Sequence, residues 1–210
     1  MAAGLLLLLA ASVLSGYNLW DDRRAGRAAG EALEELSDRL DAAQEEKEGP
    51  ETDPAEREVP DYILDPEMEM PTVEIGSREY IGVLEIPALD LSLPVMGEWS
   101  YPNLKTAPCR YSGTAYKPGF VIAGHNYRTH FSPIKNIAMG EDVFFTDVDG
   151  NRFAYETAEA QVLEPAAVEE MTADNWDLTL FTCTYGGGSR LAVRCEAVPA
   201  SGWAGEERHG

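Results

Sequence analysis

From Pro71 to Val198 the chain is a succession of short β-type runs, broken by Gly, Pro and Asp-Gly turn signals. Little room is left for helix between them. Short strands at such close intervals close into a barrel or stack as a sandwich, so this spacing restricts the fold more than any other feature. "YIGVLEIPALDLSLPVM" reads as two strands with turn signals at Pro87 and Pro94. "GFVIAGH" is a compact apolar strand ending at Gly124. "EDVFFTDVDGNRFAYETAEAQVL" reads as a hairpin about Asp149-Gly150, a favoured two-residue turn. The Asp147, Asp149, Asn151 spacing hints at a calcium loop, but the rest of the twelve-residue pattern is absent, and a plain hairpin is expected. "DLTLFTC" and "SRLAVRCEAV" complete an all-β set.

Ahead of this region the sequence changes character twice. "MAAGLLLLLAASVLSGYNLW" is apolar throughout, with the length of a short membrane span and with Tyr17 and Trp20 suited to its interface. A cleaved signal peptide is the competing reading; the segment lacks a basic start and a clear small-x-small cleavage site. Arg23, Arg24 and Arg27 follow the span and would draw that side inward. Leu33, Leu36 and Leu40 recur at helical spacing, which predicts an amphipathic helix leaving the membrane. "EEKEGPETDPAEREVPD" is acidic and broken by prolines, so it reads as extended linker. "DYILDPEMEM" is read as linker too. The expected organisation is a membrane anchor at 1–20, a helical then acidic linker at 21–70, a β domain at 71–199 and a polar tail at 200–210.

The formal net charge of −21 argues against nucleic acid as a partner, and against attachment to anionic lipid through a basic patch. Three cysteines and three histidines, with no CxxC pair, give neither a disulfide framework nor a structural zinc site. No metal or cofactor is expected.

The cysteines separate by position. In "RLAVRCEAV", Cys195 shares its face with Leu191, Val193 and Ala197, which marks a core thiol. Cys109, in "APCRYSG", reads as a bystander in a loop. Cys183 stands at the last strand position of "LTLFTC", at the rim of a sheet. A glycine turn centred near Gly186 and Gly187 would set Cys183 opposite Arg190, with cross-strand neighbours about 5 Å apart. Arg194 shares that face about 13 Å further along the strand. A guanidinium beside the thiol can favour thiolate and can bind an oxyanion forming next to the sulfur. A thiol nucleophile also needs a proton partner. His125, ending "VIAGH" at a rim, and His130, in the following loop, are the candidates; His209 lies in the polar tail.

These residues resemble a known family. "LTLFTC" is similar to the TLxTC signature of the sortases, the membrane-anchored cysteine transpeptidases of Gram-positive bacteria. "VIAGHN" resembles their histidine segment and "RLAVR" their arginine strand, in the same order. The resemblance implies a closed eight-stranded β-barrel with short helices. It implies recognition of an LPxTG-like sorting signal, with Cys183 as nucleophile, His125 as proton carrier and Arg190 as oxyanion partner. Thr182 and Arg194 are expected on the substrate side. The acceptor would be an amine of a peptidoglycan precursor or a pilin lysine, and the catalytic domain would lie outside the cell membrane. The short loop between Cys183 and Arg190, and the want of a clear lid segment, suggest a class B-like or class D-like enzyme. Two rivals remain. One is a membrane-tethered binding domain without chemistry. The other is a different cysteine acyl-transfer enzyme, but the SHGC-like context of the L,D-transpeptidases is absent, and papain-like peptidases place cysteine before histidine.

Overall fold

Alternation of β-branched and aromatic residues with smaller or polar ones sets the strands, and turn residues end them. The computed structural model describes residues 2–47, 59–184 and 186–199. Two long apolar strands begin the domain: β2 (Arg78–Ile86) and β3 (Leu91–Met96), with the short β1 (Val73–Ile75) folded back on β2. They are followed by β4 (Cys109–Ser112), β5 (Phe120–Ala123), β6 (Asp142–Asp147), β7 (Arg152–Leu163), β8 (Leu178–Cys183) and β9 (Arg190–Ala197). The ladder runs β1-β2-β3-β4-β5-β8-β9-β7-β6, and β6 returns to pair with β2. Strands β2 to β9 therefore close an eight-stranded barrel, and β1 stays outside as an added edge. Pairing is antiparallel except at β3–β4 and β5–β8. Phe120, Ile122, Phe145, Leu178, Leu180 and Val193 fill the interior.

Pro94 lies within β3, opposite Val83, and does not turn the chain. On its other side β3 meets β4 only at Met96, so the missing N–H of Pro94 leaves no ladder bond broken there. The β6–β7 hairpin forms as the sequence predicts, but its loop is wider than a two-residue turn. Asp147 N–H bonds the Asn151 carbonyl, and the Asp147 carboxylate accepts from the N–H groups of Asp149 and Asn151. Its oxygens are taken up by this loop and by the Tyr116 hydroxyl.

The N-terminal helix α1 runs unbroken over Ala2–Lys47. Residues 4–20 are exposed on every side, Leu7 and Val13 at 72% each. Buried positions then recur at Asp22, Ala25, Ala29, Ala32 and Leu36, a three-four spacing that forms one stripe. Small residues on that stripe let the helix lie close against β3, β2 and β1. Ala32 and Leu36 share a cluster with Tyr80, Val83, Met96 and Cys109. This part of α1 is thus a wall of the domain as well as a stalk.

Three single-turn helices complete the fold: α2 (Asp61–Leu64), α3 (Tyr101–Leu104) and α4 (Val168–Met171). Residues 59–70 follow the barrel surface. Tyr62 stacks on Tyr116 at 4.9 Å, Lys117 pairs with Glu67, and Met70 is buried in the core. The acidic stretch 48–58 and the tail 200–210 lie outside the described residues.

Candidate active site

Strand order decides what meets. Parallel pairing sets Ala123 beside Phe181, and the Gly124 N–H donates to the Phe181 carbonyl at 2.9 Å. His125 follows β5 two residues after Ala123, so its backbone leaves the barrel at the same end as Cys183, two residues after Phe181. On its other side Cys183 pairs directly with Arg190. The three residues named from the sequence therefore converge at one end of the barrel.

Cys183 is half-buried and shares the outward face of β8 with Thr179 and Phe181. The β8–β9 connection holds the thiol at a fixed hairpin mouth. Thr184 N–H donates to the Ser189 carbonyl, the two hydroxyls lie 2.8 Å apart, and Gly186 and Gly187 take φ of 85° and 74° to make the turn. Arg190 Nη1 donates to the Gly187 and Ser189 carbonyls at 3.2 and 3.1 Å, which steers the guanidinium along this hairpin.

His125 follows β5 through Gly124, where a Cβ would lie 2.2 Å from the Phe131 ring. Only glycine lets Phe131 close under the histidine loop. The loop is tied by Phe131 N–H to the His125 carbonyl. The imidazole lies flat on Tyr127, with centroids 3.8 Å apart and planes at 10°. Its Nδ1 is buried without a hydrogen-bond partner among the described residues. Burial lowers the pKa of His125; Asp21 and Asp22 act against this, and Lys105 adds to it.

The other candidates take different places. His130 is fully buried, and burial pushes its pKa down to about 4. It packs edge-on to Tyr127 at 5.3 Å and supports the loop from behind. Thr182 faces inward with Leu178 and Leu180 and is 3% exposed, so it underlies the site without opening onto it. Arg194 is 1% exposed. Its guanidinium donates to the Met171 and Glu170 carbonyls, at 3.1 and 2.6 Å, and to Thr179 Oγ1 at 2.9 Å. Cys195 lies in the barrel core; Cys109 opens β4 instead of lying in a loop, and is equally sealed. Burial pushes both thiols up to about 12, which leaves almost no thiolate at neutral pH.

One feature of the site was not read from the sequence. Phe181, two residues before the thiol, begins an aromatic row through Tyr111 (5.2 Å) and Trp99 (5.8 Å) to Tyr101 (5.3 Å). A cleft of about 390 Å3 opens beside it, lined by Trp99, Arg110, Tyr111 and Ser112. A larger cleft, about 550 Å3, sits between Tyr62, Tyr116, Phe153 and Ala197, at the end of the barrel away from the thiol. Among the described residues no cluster of His, Cys, Asp and Glu could hold a metal ion. The site brings a half-buried thiol, an imidazole and a guanidinium to one end of the barrel, groups from which acyl-transfer chemistry can be built.

The sortase-domain family model matches residues 84–198, more than half of the chain. Sortase A of Bacillus anthracis is 25% identical over 193 residues, spanning 85% of this chain and 84% of that protein. Among solved structures, a sortase D5 transpeptidase of Clostridium perfringens superposes with a TM-score of 0.60 at 19% identity, over 82% of this chain and 99% of its own. A sortase C1 of Streptococcus suis gives 0.52 at 26% identity, over 62% and 76%. Sortase A of Corynebacterium diphtheriae gives 0.54 at 20%, over 93% and 98%. The chain belongs to the sortase family of cysteine transpeptidases.

Proposed function

We propose that the protein cleaves an LPxTG-like sorting signal on secreted proteins and transfers the acyl fragment to a primary amine. The pairing of Cys183 with Arg190, with His125 just past the end of the neighbouring strand β5, is the observation that carries this reading. The Cys183 thiolate attacks the carbonyl carbon of the signal's threonine. The negative charge that develops on that oxygen is met by the Arg190 guanidinium, whose donors form a planar fork. Protonated His125 gives its proton to the leaving glycine amine, the C–N bond breaks, and a thioester to Cys183 remains. An incoming amine then gives its proton to neutral His125 and attacks the thioester. The C–S bond breaks, a new amide forms, and the thiolate is restored.

Burial of His125 and its stack on Tyr127 suit a group that must alternate between charged and neutral forms. The aromatic row from Phe181 to Tyr101 provides apolar surface for the leucine and proline of the signal. Arg194, which the sequence placed on the substrate side, is better suited to a supporting role. Bound to the carbonyls of Glu170 and Met171, it holds the β7–β8 connection against the outer face of the sheet. Thr182 supports from within. The acceptor amine comes from a peptidoglycan precursor or a pilin lysine. The exposed apolar helix anchors the protein in the cell membrane, with the catalytic domain outside.

The test is a mixture of an LPxTG peptide, an amine acceptor and purified protein, followed by mass spectrometry. The wild-type chain should yield the transfer product and a thioester adduct on Cys183. Cys183→Ala should yield neither and keep its melting temperature. Undiminished transfer by the alanine variant would sink the mechanism.

A further inference from the structure

The histidine loop is fastened to the N-terminal helix at two points. The Tyr127 hydroxyl donates to the Asp21 carboxylate, while the Tyr127 ring carries the His125 imidazole on its face. Arg24, one turn along, pairs with Asp21 at 3.2 Å. Two residues beyond Tyr127, the Thr129 hydroxyl donates to the Asp22 carboxylate at 3.1 Å and to the Asp22 carbonyl at 3.2 Å. The helix can approach this closely because residue 26 is glycine; a Cβ there would lie 2.8 Å from Thr129 Cγ2.

Cysteine–histidine enzymes commonly orient the imidazole by a hydrogen bond to the nitrogen away from the thiol. Nδ1 of His125 has no hydrogen-bond partner among the described residues. The plane of the ring is instead set by the Tyr127 stack, and Tyr127 is set by Asp21. We infer that Asp21 and Tyr127 are positioning residues for His125, through which the N-terminal helix fixes the plane of the catalytic imidazole. A phenol that donates to a carboxylate has an electron-rich ring, and the face of such a ring attracts an imidazolium. The coupling therefore favours the protonated histidine that must serve the leaving amine. The groups that bear on His125 charge are Asp21 and Asp22, which favour it, and Lys105, which opposes it. Arg24 pairs with Asp21, neutral His130 packs behind, and Cys183 and Arg190 sit on the two strands beyond.

The catalytic part of this inference rests on the transpeptidase reading. The test uses the full chain in detergent, with Asp21→Asn, Asp21→Glu, Tyr127→Phe and Tyr127→Leu. The titration of His125 is followed by NMR of labelled imidazoles, together with kcat, KM and melting temperature. Asp21→Asn and Tyr127→Phe should lower kcat about tenfold with little change in KM, and Tyr127→Leu should lower it further. Asp21→Asn should also move the His125 titration to lower pH, and Asp21→Glu should restore most of both. An unmoved titration in Asp21→Asn overturns the inference. So does an unchanged kcat in Tyr127→Leu, or a loss that follows the melting temperature alone. The titration needs no substrate. A wild-type chain unable to transfer the peptide overturns the transpeptidase reading, while the titration still decides the coupling.

Discussion

Arg190 and Arg194 stand on one face of one strand and meet different surroundings. Arg190 lies opposite Cys183 at the open rim, whereas Arg194 is sealed beneath the β7–β8 connection with its donors committed to Glu170, Met171 and Thr179. Arg190→Lys should lower kcat/KM about a hundredfold with an unchanged melting temperature, because lysine loses the planar fork that meets an oxyanion. Arg194→Met should cost about 2–4 kcal/mol of stability, since two buried carbonyls lose their donor. Kinetics and thermal denaturation of both variants decide the assignment, and a reversed pattern would show that the roles are exchanged. The Cys183–Arg190 opposition was legible in the sequence because a hairpin register can be counted outward from its glycine turn. The Glu170 and Met171 partners of Arg194 were not, since they come from a segment more than twenty residues earlier. Nor was the Asp21–Tyr127 bond, whose partners are 106 residues apart.

Among the elements, the strands declared themselves through alternation and turn residues, and the hairpin at Asp149-Gly150 formed between the expected runs. Pro94 misled as a turn signal because the structure leaves it a place without a ladder partner on the β4 side. Leucine spacing revealed the amphipathic helix, but not that its alanines and Gly26 would press it against the barrel; small residues carry little periodic signal. The loop beneath this helix gives a stability prediction. His130 is held neutral there, its pKa lowered by burial from 6.5 to about 4. The unfolded chain takes up a proton near pH 6.5 that the folded loop refuses until about pH 4. Stability should therefore fall as pH drops through that window and level off below it, with a loss of about 3 kcal/mol at most. His130→Leu should flatten this part of a plot of melting temperature against pH. If the slope survives the substitution, the buried imidazole is not its source.

For the whole molecule, the exposed leucines of residues 4–20 and the net charge of −21 point the same way. Attachment of such a chain to a bilayer would be apolar and would not draw on a basic patch. Fractionated cells should therefore hold the protein in the membrane pellet through a high-salt wash and release it to detergent. Release by salt would show that the helix does not span. The helix whose exposed apolar end continues without a break along β3 has one more consequence. Were residues 4–20 to span a bilayer, the unbroken helix would leave no joint between anchor and wall, and the Cys183 end of the barrel would be held at a set height above the lipid. Sorting signals and acceptor amines would then have to reach it by lateral diffusion, gliding over the bilayer to a stationary docking point.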